Sequence, residues 1–403
     1  MNNMYKKLVF LFVLFCLNIT WLHAQPNVEN ENIIGYDFGV PVKKDRYKIA
    51  ILTPLYLDSF DLEKNLINLP SYATPGIDFY QGAMIAADTL NKADTKITIY
   101  VFDSKSKYLN INTLLATDKL SSMDCIIGNI GGLELKTIAE FANKNKINFI
   151  SAVSPSDADQ KNNPFFTLLN PKLNTHVERM HKKIQLSYAS ANIIYAHRTA
   201  SNEINAYQYY INDPYTQSTV NPTEYIVPEE GIDESKLAPL LDKTKTNIIV
   251  LGILDAKTAY NNLKIITKLA NDGYVIKVYG MPTWENIKAL KVEKEFPNLE
   301  IFYTSSLIVD KVTTPSIYVQ NKYRQQMGST ASEIVYKGFE ATYLVANLLQ
   351  QFGTPFNQKF NENGFTFITP YRLMPVIDDF KLKYFENKFL YIVKYKNGLM
   401  TYE

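Results

Sequence analysis

From Tyr47 onward, short apolar runs alternate with stretches of helical period. "YKIAILTPL" (47–55) has strand character, while "GIDFYQGAMIAADTL" (76–90) puts Phe79, Ala83, Ala86, Ala87 and Leu90 near one helical face. "KITIYVFD", the helix "INTLLATDKL", "DCIIG", the helix "LELKTIAEFANKN" and "INFISAVS" continue the rhythm to residue 154. Four strand–helix units in succession predict a parallel, doubly wound sheet. After "NPFFTLLNP" (163–171) the rhythm restarts. The strands "ANIIYAH", "TEYIVPEE", "NIIVLGIL" and "VIKVYGM" are separated by the helices "THVERMHKKIQLSY", "NEINAYQYYI", "KLAPLLDKT" and "AKTAYNNLKIITKLAND". The pattern therefore predicts an α/β chain with two similar parallel-sheet lobes. Two helices follow, "PSIYVQNKYRQQMG" and "EIVYKGFEATYLVANLLQQFG". The tail "DFKLKYFENKFLYIVKYKNGLMTYE" alternates like a hairpin, with turn signals at Glu386-Asn387 and Asn397-Gly398.

The first residues read differently. Lys6 and Lys7 precede an apolar run, and Leu22-His23-Ala24 precedes Gln25, the order of a cleavable secretory signal over residues 1–24. Cys16 raises a lipoprotein alternative, which Phe15 at the small-residue position disfavours. Residues 25–45 form a polar lead-in. Removing the two leader lysines from 42 basic side chains leaves 40, equal to the 40 acidic ones. A neutral chain has no general pull on nucleic acid. No later segment is apolar enough to span a membrane, so none is expected after cleavage. Cys125 is then the one remaining cysteine, expected as a buried small residue within a strand. About 380 residues exceed a single core, which again favours two lobes.

Catalytic chemistry is sparse. His176 and His181 lie five apart on a predicted helix and share no metal-binding face, so they read as exposed or half-buried helix residues. Asp157 and Asp159 share a loop without the glycine and distal glutamate of a calcium site. No Gly-x-Ser-x-Gly or Cys-x-x-Cys occurs, and no enzyme activity or cofactor is expected. The corner Gly128-Asn129-Ile130-Gly131-Gly132 is not a dinucleotide fingerprint and lacks Gly-Lys-Ser/Thr. Its helix-start N–H groups can still meet a carboxylate or hydroxyl. The serine-rich loop "FISAVSPSD" follows the next strand, and such loops line the crevice of open α/β sheets.

Taken in order, "KIAILTPL", "FYQGAMIAADTL", "IYVFDSKS", "MDCIIGNIGG", "AEFANKNKINFISAVSPSD" and "NPFFTLLNP" resemble type I periplasmic binding proteins, the family of the leucine/isoleucine/valine-binding protein. The resemblance continues through "VIKVYGMPTWEN" and the last long helix, covering roughly residues 46 to 403. It implies two lobes joined by three chain crossings, near 168–170, 305–309 and 363–367. The first lobe would hold 46–167 plus 308–362, and the second 168–305 plus 363–403. It further implies a ligand held by Asn129, Ile130, Gly131 and Gly132 and by the Ala152–Ser156 loop, with Ala152, Ser154 and Ser156 named.

In the second lobe the pattern departs from the family. Leu254 and Asp255, then Thr283 and Trp284, stand where relatives place an aromatic and an acid. Arg198-Thr199-Ala200-Ser201 replaces an aromatic-glycine pair. Asp255 is a candidate partner for an amine. Trp284 is a candidate stacking surface, with core packing an equal alternative. The resemblance implies a periplasmic solute-binding protein for a small polar molecule, working with an ABC permease. The alternative is an envelope scaffold of the same fold that binds a protein, as penicillin-binding-protein activators do. The insertion "YLDSFDLEKNLINLPSYATP" (56–75) fits that alternative.

Overall fold

A computed structural model describes residues 36–403 except 41, 60–69, 189, 213–221, 310–312, 361–364 and 367. The predicted signal (1–24), much of the lead-in and the middle of the 56–75 insertion lie outside the described residues.

The first sheet grows around β1 (Tyr47–Thr53), which pairs in parallel with β2 (Ile97–Asp103) and β3 (Cys125–Gly128). Next come β4 (Asn148–Ser151) and β5 (Phe166–Leu168). Side chains alternate between the faces. Ile49, Ile51, Cys125 and Ile127 enter one core, while Ala50, Leu52, Ile126 and Phe149 enter another. Burial on both faces is why these strands read as nearly continuous apolar runs. Cys125 is fully buried, and burial pushes its thiol well up.

Two helices sandwich the first face. In α1 (Thr74–Lys92) a Cβ on Gly82 would lie 1.9 Å from the Val335 carbonyl oxygen, and a Cβ on Gly338 would lie 2.2 Å from that of Phe79. The glycines thus let two helix backbones touch. The expected helix over 111–120 is two pieces, α2 (Ile111–Leu115) and α3 (Asp118–Ser121), because Thr117 is extended and interrupts the ladder. The other face is covered by α4 (Gly132–Asn145).

The second lobe begins with α5 (Leu173–Ser187) and repeats the scheme. Its strands are β6 (Asn192–His197), β7 (Thr223–Ile226), β8 (Asn247–Leu251), β9 (Ile276–Tyr279) and β10 (Glu300–Ser305). The helices α6 (Ser201–Ile211), α7 (Glu234–Leu237) and α8 (Ala256–Asn271) lie between them. The chain then returns to the first lobe as α9 (Thr314–Met327) and α10 (Glu333–Phe352), the partner of α1. Buried Asp78 of α1 ties them down by accepting from Tyr323 Oη and Ser332 Oγ, both at 2.5 Å. A small ribbon, β11 (Phe365–Thr366) with β12 (Pro370–Tyr371), follows.

The tail corrects one expectation. The resemblance places residues 363–403 whole in the second lobe, yet β13 (Leu373–Asp378) and β14 (Lys381–Asn387) extend the first sheet, β14 running parallel to β5. Only β15 (Tyr391–Lys396) and β16 (Leu399–Tyr402) join the second sheet, beside β10. The third crossing therefore lies at 388–390, and the chain also passes between sheets at 169–172 and after Ser305. Glu386-Asn387 is no turn. Both side chains are buried at the end of β14, where Asn387 accepts from the N–H groups of Arg372 and Phe389, both at 3.0 Å. The two hairpin turns are Asp379-Phe380 and Asn397-Gly398, all four residues at positive φ as a type I′ hairpin turn requires.

Candidate functional site

Among the parallel strands of each sheet the order reverses once, between β1 and β3 in the first lobe and between β6 and β8 in the second. Loops at the carboxyl ends of those strands frame the crevice.

On the first-lobe side, the loops after β1 to β4 enclose a cavity of about 280 Å³ lined by Tyr56, Ser104, Lys105, Asn129, Ile130, Gly131 and Ser154, among others. Asp103 organises its wall. Its carboxylate accepts from the backbone N–H groups of Leu55 (2.9 Å), Tyr56 (3.1 Å) and Leu57 (2.9 Å). These bonds hold Tyr56 at φ 55, a left-handed conformation disfavoured for so large a residue. The Tyr56 ring packs edge-on against Tyr72 at 4.9 Å.

The predicted corner contributes backbone more than side chains. Asn129 is largely buried, and its amide donates to Thr53 Oγ1 at 3.1 Å. Ile130 packs in the core. Gly131 precedes α4 with no side-chain cap, and space is open around Gly131 and Gly132. In the following loop Ala152 is buried, and its N–H donates to the Gly128 carbonyl at 2.9 Å. The hydroxyls of Ser154 and Ser156 accept from the N–H groups of Ser156 (3.3 Å) and Ala158 (3.1 Å). They shape the loop.

A second cavity, of about 270 Å³, lies between the lobes. The first lobe and the crossings supply Pro155, Asn170, Ser306, Glu333 and Lys337. The second lobe supplies His176, Leu254, Thr283, Glu285 and Asn286. Glu333 and Lys337 project from the first turns of α10, and Glu285 from the 3₁₀ turn Pro282–Asn286 after β9. Glu285 is exposed at the cavity rim, where the surrounding protein and then the Glu333 charge push its carboxyl upward and Lys337 works against the rise. His176, expected as an exposed or half-buried residue, is buried with its Nδ1 2.8 Å from Thr304 Oγ1. Burial lowers it to about 3 and keeps the imidazole neutral.

Two second-lobe candidates stand away from both cavities, and for Trp284 the core-packing alternative holds. Trp284 is completely buried, its Nε1 donates to the Ile253 carbonyl at 2.9 Å, and it offers no stacking face. It fills the space over Gly280, where a Cβ would lie 2.2 Å from its ring. Asp255 is exposed and caps α8 through Oδ1, accepting from Thr258 N–H (2.7 Å) and Oγ1 (2.5 Å). Thr283 does line the interlobe cavity, though its hydroxyl donates to the Leu254 carbonyl at 2.6 Å. Gly132, Ala152, Ser156, Asp255 and Trp284 line neither cavity.

Where relatives were expected to offer an aromatic, buried Glu203 holds the Arg198 guanidinium at 2.6 Å and also accepts from the N–H groups of Arg198 (3.0 Å) and Leu254 (3.2 Å). Two backbone donors at the second lobe's switch point are thus satisfied internally. Sequence reasoning missed Glu285, Glu333, Lys337 and Glu203. The available signals were an acid directly after Trp284 and a Glu/Lys pair four apart opening a helix. Among the described residues no cluster of His, Cys, Asp and Glu could hold a metal, and no helix is long and apolar enough to cross a membrane.

No family model matches the chain, and no curated protein sequence matches it. Solved structures do. An ABC transporter substrate-binding protein from Desulfitobacterium hafniense, in complex with Leu, aligns with TM-score 0.55 and 13% identity over 89% of this chain and 100% of that one. An ABC-type branched-chain amino acid transporter protein from Rhodopseudomonas palustris gives TM-score 0.59 and 15% identity over 88% and 95%. LpoA from Haemophilus influenzae gives TM-score 0.58 and 12% identity over 90% of this chain but 59% of its own. The architecture is the two-lobe fold of type I periplasmic binding proteins.

Proposed function

We propose that this chain is an extracytoplasmic solute-binding protein that encloses a small polar ligand between its lobes and delivers it to an ABC importer. The observation that carries the reading is the interlobe cavity, whose polar lining comes from both lobes and from the crossings that join them. A guest touching both lobes stabilises the shut arrangement, so binding and closure are one population shift. The secretory leader pattern and the fold of substrate-binding neighbours support the periplasm as its place of work. No catalytic residue is assigned. A thermal-shift screen of amino acids, short peptides, sugars and small acids tests the reading, since a true ligand raises the melting temperature by mass action. Silence across the whole library would overturn it.

A second reading, an envelope scaffold that binds a protein partner, draws on a specific feature. Glu203 already occupies the Arg198 and Leu254 N–H groups beside the second lobe's switch point, and LpoA shares the fold. Pull-down from envelope extracts would then recover a stable partner other than importer subunits.

A further inference from the structure

His176 projects from α5 into the interlobe cavity and is 6% exposed. Its Nδ1 faces Thr304 Oγ1. Thr304 is buried too, and among the described residues its hydroxyl has no partner except that nitrogen. A buried hydroxyl proton without an acceptor is costly, so the hydroxyl donates to Nδ1. The neutral ring then carries its own proton on Nε2. Nε2 bonds no described residue and is not sealed off, so an N–H donor opens on the cavity.

Three charged side chains line the same cavity: Lys337 and Glu333 from α10, and Glu285 from across the gap. None of them forms an ion pair or hydrogen bond with a described residue. Lys337 is still close enough for its charge to act on both His176 and Glu285. The buried His176 and half-buried Lys337 therefore offer donors toward the inner end, while the exposed Glu285 and Glu333 offer acceptors at the rim. Other polar groups of the lining are occupied. Ser306 bonds Asn170, Ser305 Oγ donates to the Leu307 carbonyl at 2.8 Å, and Thr283 bonds the Leu254 carbonyl.

We propose that the interlobe cavity takes a diamino carboxylic acid, with its carboxylate on His176 Nε2–H and the Lys337 ammonium and its two ammonium groups at Glu285 and Glu333. The lining holds one unpaired positive and two unpaired negative side chains, and such a ligand brings the complement. An amino acid with an apolar side chain leaves one rim carboxylate uncompensated. A plain diamine leaves His176 and Lys337 unanswered. This rests on the solute-binding reading and specifies its ligand.

The test is calorimetric titration of the full chain with lysine, ornithine, leucine, Nε-acetyl-lysine and cadaverine. Lysine or ornithine should bind at least about tenfold tighter than each of the other three. In His176→Phe, which keeps a ring but no donor, lysine and leucine should weaken alike, and Lys337→Met should act the same way. Glu285→Gln should instead narrow the gap between lysine and leucine. Nitrogen NMR of the intact, isotope-labelled chain provides a check that needs no substitution at a buried site. The His176 ring proton should reside on Nε2, and that resonance should move when lysine is added. A proton on Nδ1, an unmoved resonance, or leucine or cadaverine binding as tightly as lysine overturns the proposal. If all five compounds are inert but another member of the thermal-shift library binds, the proposal falls and the solute-binding reading stands. Silence from the whole library overturns both.

Discussion

Ser306 Oγ donates to Asn170 Oδ1 at 3.1 Å, joining the first chain crossing to the second directly behind the interlobe cavity. The Asn170 amide also donates to the Val153 carbonyl at 2.8 Å, so one side chain connects the hinge to the serine loop. Asn170→Ala removes both bonds. Urea unfolding should show a loss of about 1–3 kcal/mol, and small-angle scattering a more open average shape. An unchanged scattering profile would count against a hinge role for Asn170.

Glu386 is the other hinge anchor. Buried at the end of β14, it accepts from Lys172 N–H at 2.9 Å, Thr175 Oγ1 at 2.6 Å and Lys388 Nζ at 2.8 Å. These partners come from two crossings and from α5 of the opposite lobe. Glu386→Ala strands the Lys388 charge and should destabilise the protein by roughly 3–5 kcal/mol in denaturant titration. Glu386→Gln should cost less because its carbonyl can still accept.

Gly280 lies under the Trp284 indole. In Gly280→Ala the new methyl carbon starts 2.2 Å from the ring and must displace it from the Ile253 carbonyl. A loss of about 1–3 kcal/mol or more is expected, with tryptophan emission shifted to the red. Unaltered emission would mean the ring had not moved.

Glu340 of α10 is buried and accepts from the N–H groups of Thr369 (2.6 Å) and Ile368 (3.2 Å). Burial raises its carboxyl from the usual 4.5 to about 7, against those hydrogen bonds. The native state therefore binds this proton more firmly than the unfolded chain does. Its contribution to stability is present in full below pH 4.5 and is lost as pH rises through 7. Between those limits the loss is on the order of 2–3 kcal/mol. Glu340→Gln should flatten that slope when unfolding is measured at pH 5 and pH 8.

The strands were legible in the sequence because both faces of a parallel sheet are buried, and "NIIVLGIL" or "YKIAILTPL" can hardly be read otherwise. The end of β14 was not, because Glu386 and Asn387 look like turn residues. Their polar groups are consumed by chain crossings distant in sequence. Asp255 carried a readable signal, since an acid three residues before Thr258 is a helix cap as readily as a ligand group. Trp284 carried none that separates a packed ring from a presented one. The glycine corner and serine loop announce themselves in the sequence, whereas Ser104, Glu285 and Glu333 do not. They become neighbours of a cavity only when loops far apart along the chain converge.

The last thirty or so residues supply the outermost strands at one side of both sheets, β14 beside β5 with β13 beyond it, then β15 beside β10 with β16 beyond it. Neither half can be finished while the ribosome is still making the carboxyl terminus. A nascent chain must wait with two open β-edges, and such edges are sticky. Truncation at the terminus should therefore cripple both halves together, with aggregation during biogenesis as its first symptom.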